Sequence, residues 1–569
     1  MPAKKKNNRK KESLFNINKE ELKDPDNFPW WKDGVVYQIY PRSFQDSNGD
    51  GVGDLQGIID RLDYLNGKED SLGIDAIWLS PIYPSPMIDF GYDISDFENI
   101  DPIFGNLHTF KKLLEECKLR NIKLIMDLVI NHTSHIHPWF IESRSSKDNP
   151  KRDWYIWKDP VNGKEPNNWM AAFGGKAWEF DEKTEQYYYH GFTVQQPDLN
   201  WRNPEVKEAI FKMIEFWLDM GVDGFRLDVV NYYFKDDELR DNPYNFFKGL
   251  RDYERQYHIY DRNLPETHEV LKEFRKLLDS YSGDRMSVGE VFQEPPGTAK
   301  LPASFYGKNS DELHMSFNFS FLYCKWNPIN FAHAIKNWEI TLKEHDWPNY
   351  TLSNHDQRRH FTRYGKRKDS YHRAKIAAIM LLTLRGTPFL YYGEEIGMPS
   401  PWIRKKFIRD PLGLRYWPLY MGRDWARQPM CWDDTKFSGF SKVEPWLPLP
   451  SNHKLICVEN QKDNPHSLLN LYKEIIKIRK SEITLRRGNI RLVFEDQHHI
   501  LSYIRSFHDE NILIILNFTK EAQKFYSKKD EIPSTNGMII FSTNRNHNQE
   551  VDLNHFTLSP YEGIIIKLI

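Results

Sequence analysis

Cysteine is scarce in this chain. Its 569 residues include four cysteines, Cys117, Cys324, Cys431 and Cys457, spread far apart with no CxxC pair. That pattern argues against a zinc site or a disulfide scaffold and fits a reduced cytosolic compartment. Long hydrophobic runs are missing as well. The longest, Ile376–Leu384, is flanked by Lys375 and Arg385 and falls far short of the roughly 20 apolar residues of a membrane helix. It reads as a buried helix in a soluble protein that has no membrane partner. Nor is there an excess of one charge, since 78 Lys and Arg face 80 Asp and Glu. Such a balance favours neither nucleic acid nor a highly charged substrate. The lysine-rich start, Lys4-Lys-Lys-Asn-Asn-Arg-Lys-Lys11, is followed by no apolar stretch that would complete a signal peptide. Residues 1–27 therefore read as a basic, flexible tail. No internal repeat stands out, and nothing in the sequence specifies an oligomeric state.

What is abundant is aromatic: Phe, Trp and Tyr make up 14% of the chain, with 18 Trp. Most of this serves a large core, although aromatic faces are also surfaces on which sugar rings stack. Eight strand-like runs follow in order: Val35–Tyr40, Asp75–Ser80, Lys123–Ile130, Val222–Val229, Met286–Val291, His314–Phe319, Tyr350–Ser353 and Thr387–Gly393. Amphipathic helical patterns separate most of them. Examples are Thr109–Arg120, with Phe110, Leu113, Leu114 and Cys117 on one stripe, and Val206–Met220, with Ile210, Met213, Ile214, Trp217 and Leu218. Alternation of this kind predicts an α/β fold, a closed parallel (β/α)₈ barrel.

One connection breaks the rhythm. Residues 133–200, rich in Trp, Tyr, Gly, Asn and Pro, are too many for a structureless loop and read as a small domain inserted after strand 3. The barrel is then expected over 28–132 and 201–483, its last helix being Leu468–Lys480. Short β-rich runs at Ile490–Phe494, Ile500–Ser506, Ile512–Asn517, Gly537–Ser542 and Gly563–Leu568 predict a C-terminal antiparallel domain over 484–569.

Four acidic segments stand where apolar runs end: Asp127-Leu-Val-Ile-Asn-His132, Gly224-Phe-Arg-Leu-Asp-Val-Val230, Gly289-Glu-Val-Phe292 and Ser353-Asn-His-Asp356. Carboxylates are expensive inside a sheet, so their recurrence at strand ends marks a site assembled at one face of a barrel. Arg226 precedes Asp228 by two residues, which on a strand puts both side chains on one face, where the guanidinium would keep Asp228 ionised.

These segments, with a fifth, Gln196-Pro-Asp-Leu-Asn200, resemble in order and spacing the α-amylase superfamily, and its oligosaccharide α-glucosidase branch in particular. The resemblance runs from about Gly34 to the C-terminus. It implies a retaining, exo-acting α-glucosidase that releases glucose from the non-reducing end of short oligosaccharides. Asp228 would be the nucleophile, Glu290 the acid/base with a raised pKa, and Asp356 the third carboxylate, holding ring hydroxyls of the distorting sugar. His132 and His355 match the family histidines that hydrogen-bond the bound glucose, with Asp127 as support.

The segment Asp89-Phe-Gly-Tyr-Asp93 matches the stretch that closes one end of the pocket, so Asp89 would grip the terminal glucose and Tyr92 stack on it. Arg427, in Gly422-Arg-Asp-Trp-Ala-Arg-Gln-Pro-Met430, matches the arginine that pairs with that aspartate. For linkage the hints diverge: Val229 after the nucleophile accompanies tolerance of α-1,6 bonds, whereas Asn231–Pro243 resembles the extended loop of bacterial α-glucosidases that favour disaccharides. A transglucosylase, a sucrose isomerase and a trehalose-6-phosphate hydrolase share the resemblance. A non-catalytic subunit is disfavoured, because the carboxylates are all present and no membrane helix is.

The loop Asp46-Ser-Asn-Gly-Asp-Gly-Val-Gly-Asp54 places oxygen ligands at alternate positions, as in the first half of a calcium loop: Asp46, Asn48, Asp50, the Val52 carbonyl and Asp54. Gly57 stands where an EF-hand would have its bidentate Glu. The departure agrees with the calcium loop of oligo-glucosidases and implies a structural Ca²⁺, the alternative being a metal-free Asx-turn loop. A long linker at Asn66–Leu72 and a bulky Trp425, expected to narrow the pocket, depart from the family pattern.

Overall fold

The computed structural model describes residues 28–246, 249, 251–292, 298–365, 367–527 and 530–569. The expected basic tail, 1–27, lies outside the described residues. Eight parallel strands form one sheet: β1 (Val36–Ile39), β2 (Ala76–Leu79), β3 (Lys123–Leu128), β7 (Gly224–Leu227), β8 (Met286–Gly289), β9 (Met315–Ser316), β10 (Asn349–Thr351) and β11 (Thr387–Tyr391). Their order is β10-β11-β1-β2-β3-β7-β8-β9. The remaining gap, between β9 and β10, is crossed by one side chain. Asn349 donates from Nδ2 to the Ser316 carbonyl at 2.7 Å and accepts the Asn318 N–H at 3.2 Å, satisfying backbone groups that a two-residue strand cannot pair.

Alternation along the strands separates two layers. Val36, Ala76, Trp78, Ile125, Met286, Val288 and Met315 pack together inside the barrel, whereas Tyr37, Ile77, Leu79, Leu124, Met126, Phe225 and Leu227 join the core beneath the helices. Cross-strand register aligns Asp127 with Arg226, and Arg226 with Val288. By the two-residue period Asp127, Arg226, Asp228 and Glu290 then share the inner face at the C-terminal rim. Gly224 begins β7 because a Cβ there would stand 2.5 Å from the Met286 carbonyl.

The helical patterns also materialise. Leu107–Leu119 starts at Asn106, whose side chain accepts the Thr109 N–H, and Pro204–Met220 starts at Asn203 with Pro at its first position, both favoured starts. The apolar run at 376–384 is the buried core of helix Ser370–Thr383. Among the described residues no helix is long and apolar enough to cross a membrane.

Between β3 and β7 the chain forms a small antiparallel sheet of β4 (Trp157–Lys158), β5 (Trp178–Asp181) and β6 (Gln186–Tyr189). It is clipped back to the barrel by Asp198, which accepts from Lys235 and from Asn131. After helix Leu468–Ser481, six strands form an antiparallel sheet: β12 (Asn489–Leu492), β13 (Ile500–Phe507), β14 (Glu510–Asn517), β16 (Asn536–Ser542), β17 (Glu550–Asp552) and β19 (Gly563–Leu568). Two more, β15 (Gln523–Phe525) and β18 (Phe556–Leu558), pair with each other. A second excursion separates β11 from helix Leu468–Ser481, held by several short helical turns instead of one barrel helix. Its apolar residues are interrupted by Pro, Gly and Arg with no sustained period, which is why it is not evident as a unit in the sequence.

Candidate active site

The inner-face residues converge on one guanidinium. Arg226, 2% exposed, donates from one terminal nitrogen to Asp127 at 2.8 Å and to Asp228 at 2.7 Å, and from the other to Glu290. A cation this deeply buried is tolerated because three carboxylates surround it. Asp228 N–H bonds to the Leu128 carbonyl at 3.0 Å and Glu290 N–H to the Leu227 carbonyl at 2.8 Å, extending the ladder one residue past the strands and fixing both backbones. Val229, immediately after Asp228, has φ 35°. A β-branched residue pays for that conformation, and such strain persists where the surrounding structure enforces it.

Burial sets the protonation of the pair. It pushes Glu290 up to about 8, against Arg226 and reinforced by Asp228, which acts both by charge and by hydrogen bond. Burial likewise lifts Asp228 to about 7, with Arg226 opposing it. Arg226 alone therefore does not keep Asp228 in the ordinary carboxylate range, as its position two residues away suggested; removal from water outweighs it. The order still favours a protonated Glu290 beside an ionised Asp228.

Asp356 is the opposite case. Burial raises its pKa, but His355, Arg423 and Arg427 outweigh that and hold it well below the usual range. His355 is itself kept neutral, pushed by burial down to about 3, so the arginines carry the positive charge. Arg427 donates to Asp356 at 3.0 Å and to the His355 carbonyl at 3.0 Å.

The expected pairing of Arg427 with Asp89 is not observed. Asp89 is instead paired with Arg423, whose guanidinium also binds Asp410 and stands 3.5 Å from Asp356. Arg423 and Arg427 lie four residues apart around a short helical turn, Asp424–Ala426, so both approach Asp356 while Arg423 alone of the two binds Asp89 and Asp410. Arg423 is the functional residue that sequence reasoning missed. The signal was its position in the same segment as Arg427, but which arginine meets which carboxylate depends on the turn between them. Trp425 does not line the cavity; it packs with Ile403, Ile408 and Met421.

A cavity of about 700 Å³ is lined by Asp89, Tyr92, Asp228, Glu290, Asp356 and Arg423. Phe173 and Phe192 from the inserted segment also border it, and Phe173 lies 4.9 Å beneath the Arg423 guanidinium. Tyr92 stacks on His355 with ring centroids 5.3 Å apart, and its hydroxyl lies 3.1 Å from Asp127 and 2.7 Å from His355. Four expected binding residues, His132, His355, Arg226 and Arg427, are buried behind this lining. His132 contacts the Tyr92 carbonyl at 2.9 Å and the Gln196 amide at 3.1 Å, and Gln196 donates to Asp89. These residues are brought together, but as the layer that holds Tyr92, Asp89 and Asp356 in place.

The expected metal loop is folded around its own backbone. Asp46 accepts the N–H groups of Gly49 and Gly51, Asn48 that of Asp50, and Asp50 that of Val52. Asp54 accepts from Ser47 and caps the following helix through Gly57 N–H. Gly51, at φ 89°, packs where a Cβ would meet the Glu444 carbonyl at 2.6 Å. Among the described residues no three acidic, histidine or cysteine side chains converge as a metal ion would require. The donor set remains all oxygen, and a carboxylate offers about four lone-pair sites, more than the three hydrogen bonds that Asp46 and Asp54 each accept.

Comparison with known proteins agrees with this geometry. The model of the α-amylase catalytic domain matches residues 38–488. The chain belongs to the α-amylase family. Among its family relatives it is 41% identical, over 95% of this chain and 99% of the other, to an oligo-1,6-glucosidase of Parageobacillus thermoglucosidasius. It is 42% identical to a probable alpha-glucosidase of Rhizobium meliloti (strain 1021), over 89% and 92%. Among solved α-amylase-fold structures it superposes on the alpha-glucosyl transfer enzyme XgtA with a TM-score of 0.87 at 38% identity, covering 95% of this chain and all of that one.

Proposed function

We propose that the protein is a retaining, exo-acting α-glucosidase that releases glucose from the non-reducing end of short α-glucosides of the maltose or isomaltose type. The carrying observation is the single Arg226 guanidinium that holds Asp228 and Glu290 together. Two carboxyls within the span of one guanidinium suit the spacing of about 5–5.5 Å in retaining enzymes, whereas an inverting pair needs about 6.5–9.5 Å to admit water between them.

In the first step the ionised Asp228 carboxylate forms a bond to the anomeric carbon as the glycosidic C–O bond breaks, and Glu290 gives its proton to the departing oxygen. In the second step Glu290 takes a proton from water, the water oxygen bonds to the anomeric carbon, and Asp228 leaves as carboxylate. Asp356, kept anionic by Arg423 and Arg427, accepts hydrogen bonds from ring hydroxyls and supports the positive charge that develops on the sugar. Asp89, fixed by Arg423 and Gln196, closes the pocket behind one glucose, which is the basis for exo action. The names of the relatives, oligo-1,6-glucosidase and probable alpha-glucosidase, support this substrate class.

Transfer of glucose to a sugar uses the same Asp228 intermediate, and the naming of XgtA as a transfer enzyme favours it as a second reading. A time course on maltose, isomaltose, sucrose, trehalose and trehalose-6-phosphate separates the two, with Asp228→Asn as control. α-Glucose appearing before its anomer supports hydrolysis with retention; β-glucose first, or full activity in the Asn variant, refutes the reading. Calcium held by Asp46, Asn48, Asp50, the Val52 carbonyl and Asp54 would brace the loop after β1, away from the chemistry. Four free cysteines support a cytoplasmic location, and the antiparallel sheets within 157–189 and 489–568 support a division with an inserted domain at 133–200 and a C-terminal domain at 484–569.

A further inference from the structure

The excursion after β11 contains a clasp. Residues 411–422 leave and return at one point, because Asp410 accepts the backbone N–H of Arg423 at 2.8 Å and its Nε at 2.9 Å, and takes a further bond from Nη2. Gly422 permits the closure: at φ 74° a Cβ there would stand 2.2 Å from Asp410 Oδ2. Asp410 is 0% exposed, and its own backbone N–H donates to Asp424, which also accepts the Arg409 N–H. A buried carboxylate whose backbone is tied down, and whose side chain bonds one arginine three times, fixes that arginine in place.

That placement serves two parts of the cavity. Arg423 Nη2 also binds Asp89, so a single nitrogen joins the clasp to the residue that closes the pocket behind one glucose. The enclosed segment borders the same cavity through Leu412, Tyr416, Leu419 and Tyr420. Asp356 is the competing partner, its Oδ1 lying 3.5 Å from Arg423 Nη1. Without Asp410 the guanidinium keeps no acceptor at Nε and is free to turn toward Asp356. A turn of that kind would draw Arg423 off Asp89 and occupy the carboxylate that receives ring hydroxyls, weakening the hold on glucose from both sides.

We propose that Asp410 is a positioning residue for the glucose pocket: it clasps the base of segment 411–422 and holds Arg423 on Asp89, so that the grip on the terminal sugar and the wall made by this segment are set together. The inference rests on the reading of Asp89 as the grip on one terminal glucose. It is tested on Asp410→Ala and the isosteric Asp410→Asn by calorimetric titration with glucose, which needs no turnover, and by maltose kinetics. Asp410→Ala should weaken glucose binding and raise KM together, each by about tenfold, the loss expected for a charge-assisted contact, with kcat falling less than KM rises. Asp410→Asn, which retains one oxygen acceptor, should restore part of both losses, and it decides the matter if the Ala variant does not fold. Because Asp410 acts through Arg423, adding Asp410→Asn to Arg423→Lys should weaken glucose binding by less than about threefold further. Unaltered glucose affinity in the folded single variants, a fall in kcat with KM unchanged, or fully multiplicative losses in the double variant overturns the proposal. Failure of the wild-type protein to cleave any α-glucoside would instead overturn the reading on which it rests.

Discussion

Replacing Glu290 with Gln should abolish hydrolysis and at the same time stabilise the protein in a pH-dependent way. The carboxyl's ordinary pKa is 4.5, and burial among Asp228 and Asp356 lifts it to about 8 in the fold. For an acid with a raised folded pKa, the unfolded chain ionises first. No cost exists below about pH 4, where both states are protonated; the cost grows as pH rises through the window and is complete above about pH 8. At about 1.4 kcal/mol per pH unit, the gap corresponds to about 5 kcal/mol, a ceiling because Asp228 and Arg226 readjust around the change. Gln has the same shape and no charge to desolvate. Scanning calorimetry of both proteins from pH 4 to 9 should show coincident melting at the acid end and a Glu290→Gln advantage of several degrees at the alkaline end. Parallel curves, or an advantage largest at low pH, would refute the reasoning that burial sets this pKa.

The same pair predicts the activity profile: kcat/KM for maltose should be bell-shaped, falling below about 7 as Asp228 is protonated and above about 8 as Glu290 loses its proton; a flat profile from pH 5 to 9 would contradict it. Arg423→Ala leaves Asp89 and Asp410 buried without their partner, so a loss of about 3–5 kcal/mol in unfolding free energy is expected by denaturant titration. Its milder variant Arg423→Lys should raise KM for maltose more than it lowers kcat. If calcium braces the Asp46–Asp54 loop, chelation should lower the melting temperature while leaving kcat of the remaining folded enzyme intact; unchanged melting counts against the metal.

Much of the fold is legible because its signals are local. Buried parallel strands read as short apolar runs, and all eight lie within the expected segments or a residue beyond them, as at Asn349 of β10. The excursion after β11, with neither helical nor strand period, has no local signal, and with it went the role of Arg423. Strands β15, β17 and β18, three residues each, are also too short to show a period. The site divides the same way: the motifs mark Asp228, Glu290 and Asp356, but whether a residue lines the cavity or stands behind it depends on packing. His132 and His355 carry the motif and lie behind Tyr92.

By itself the sequence determined the barrel and which carboxylates reach its rim. Alternation along a strand decides which face a residue takes, and Asp127, Arg226, Asp228 and Glu290 all obey it. Tertiary structure alone decided how charge is shared among them. Two chain segments remote in sequence, one carrying Arg226 and the other Arg423 and Arg427, bring three guanidinium groups to six different acids. Electrostatic pairing acts through space, at distances fixed by the closed barrel and its excursions, and leaves no period in the chain.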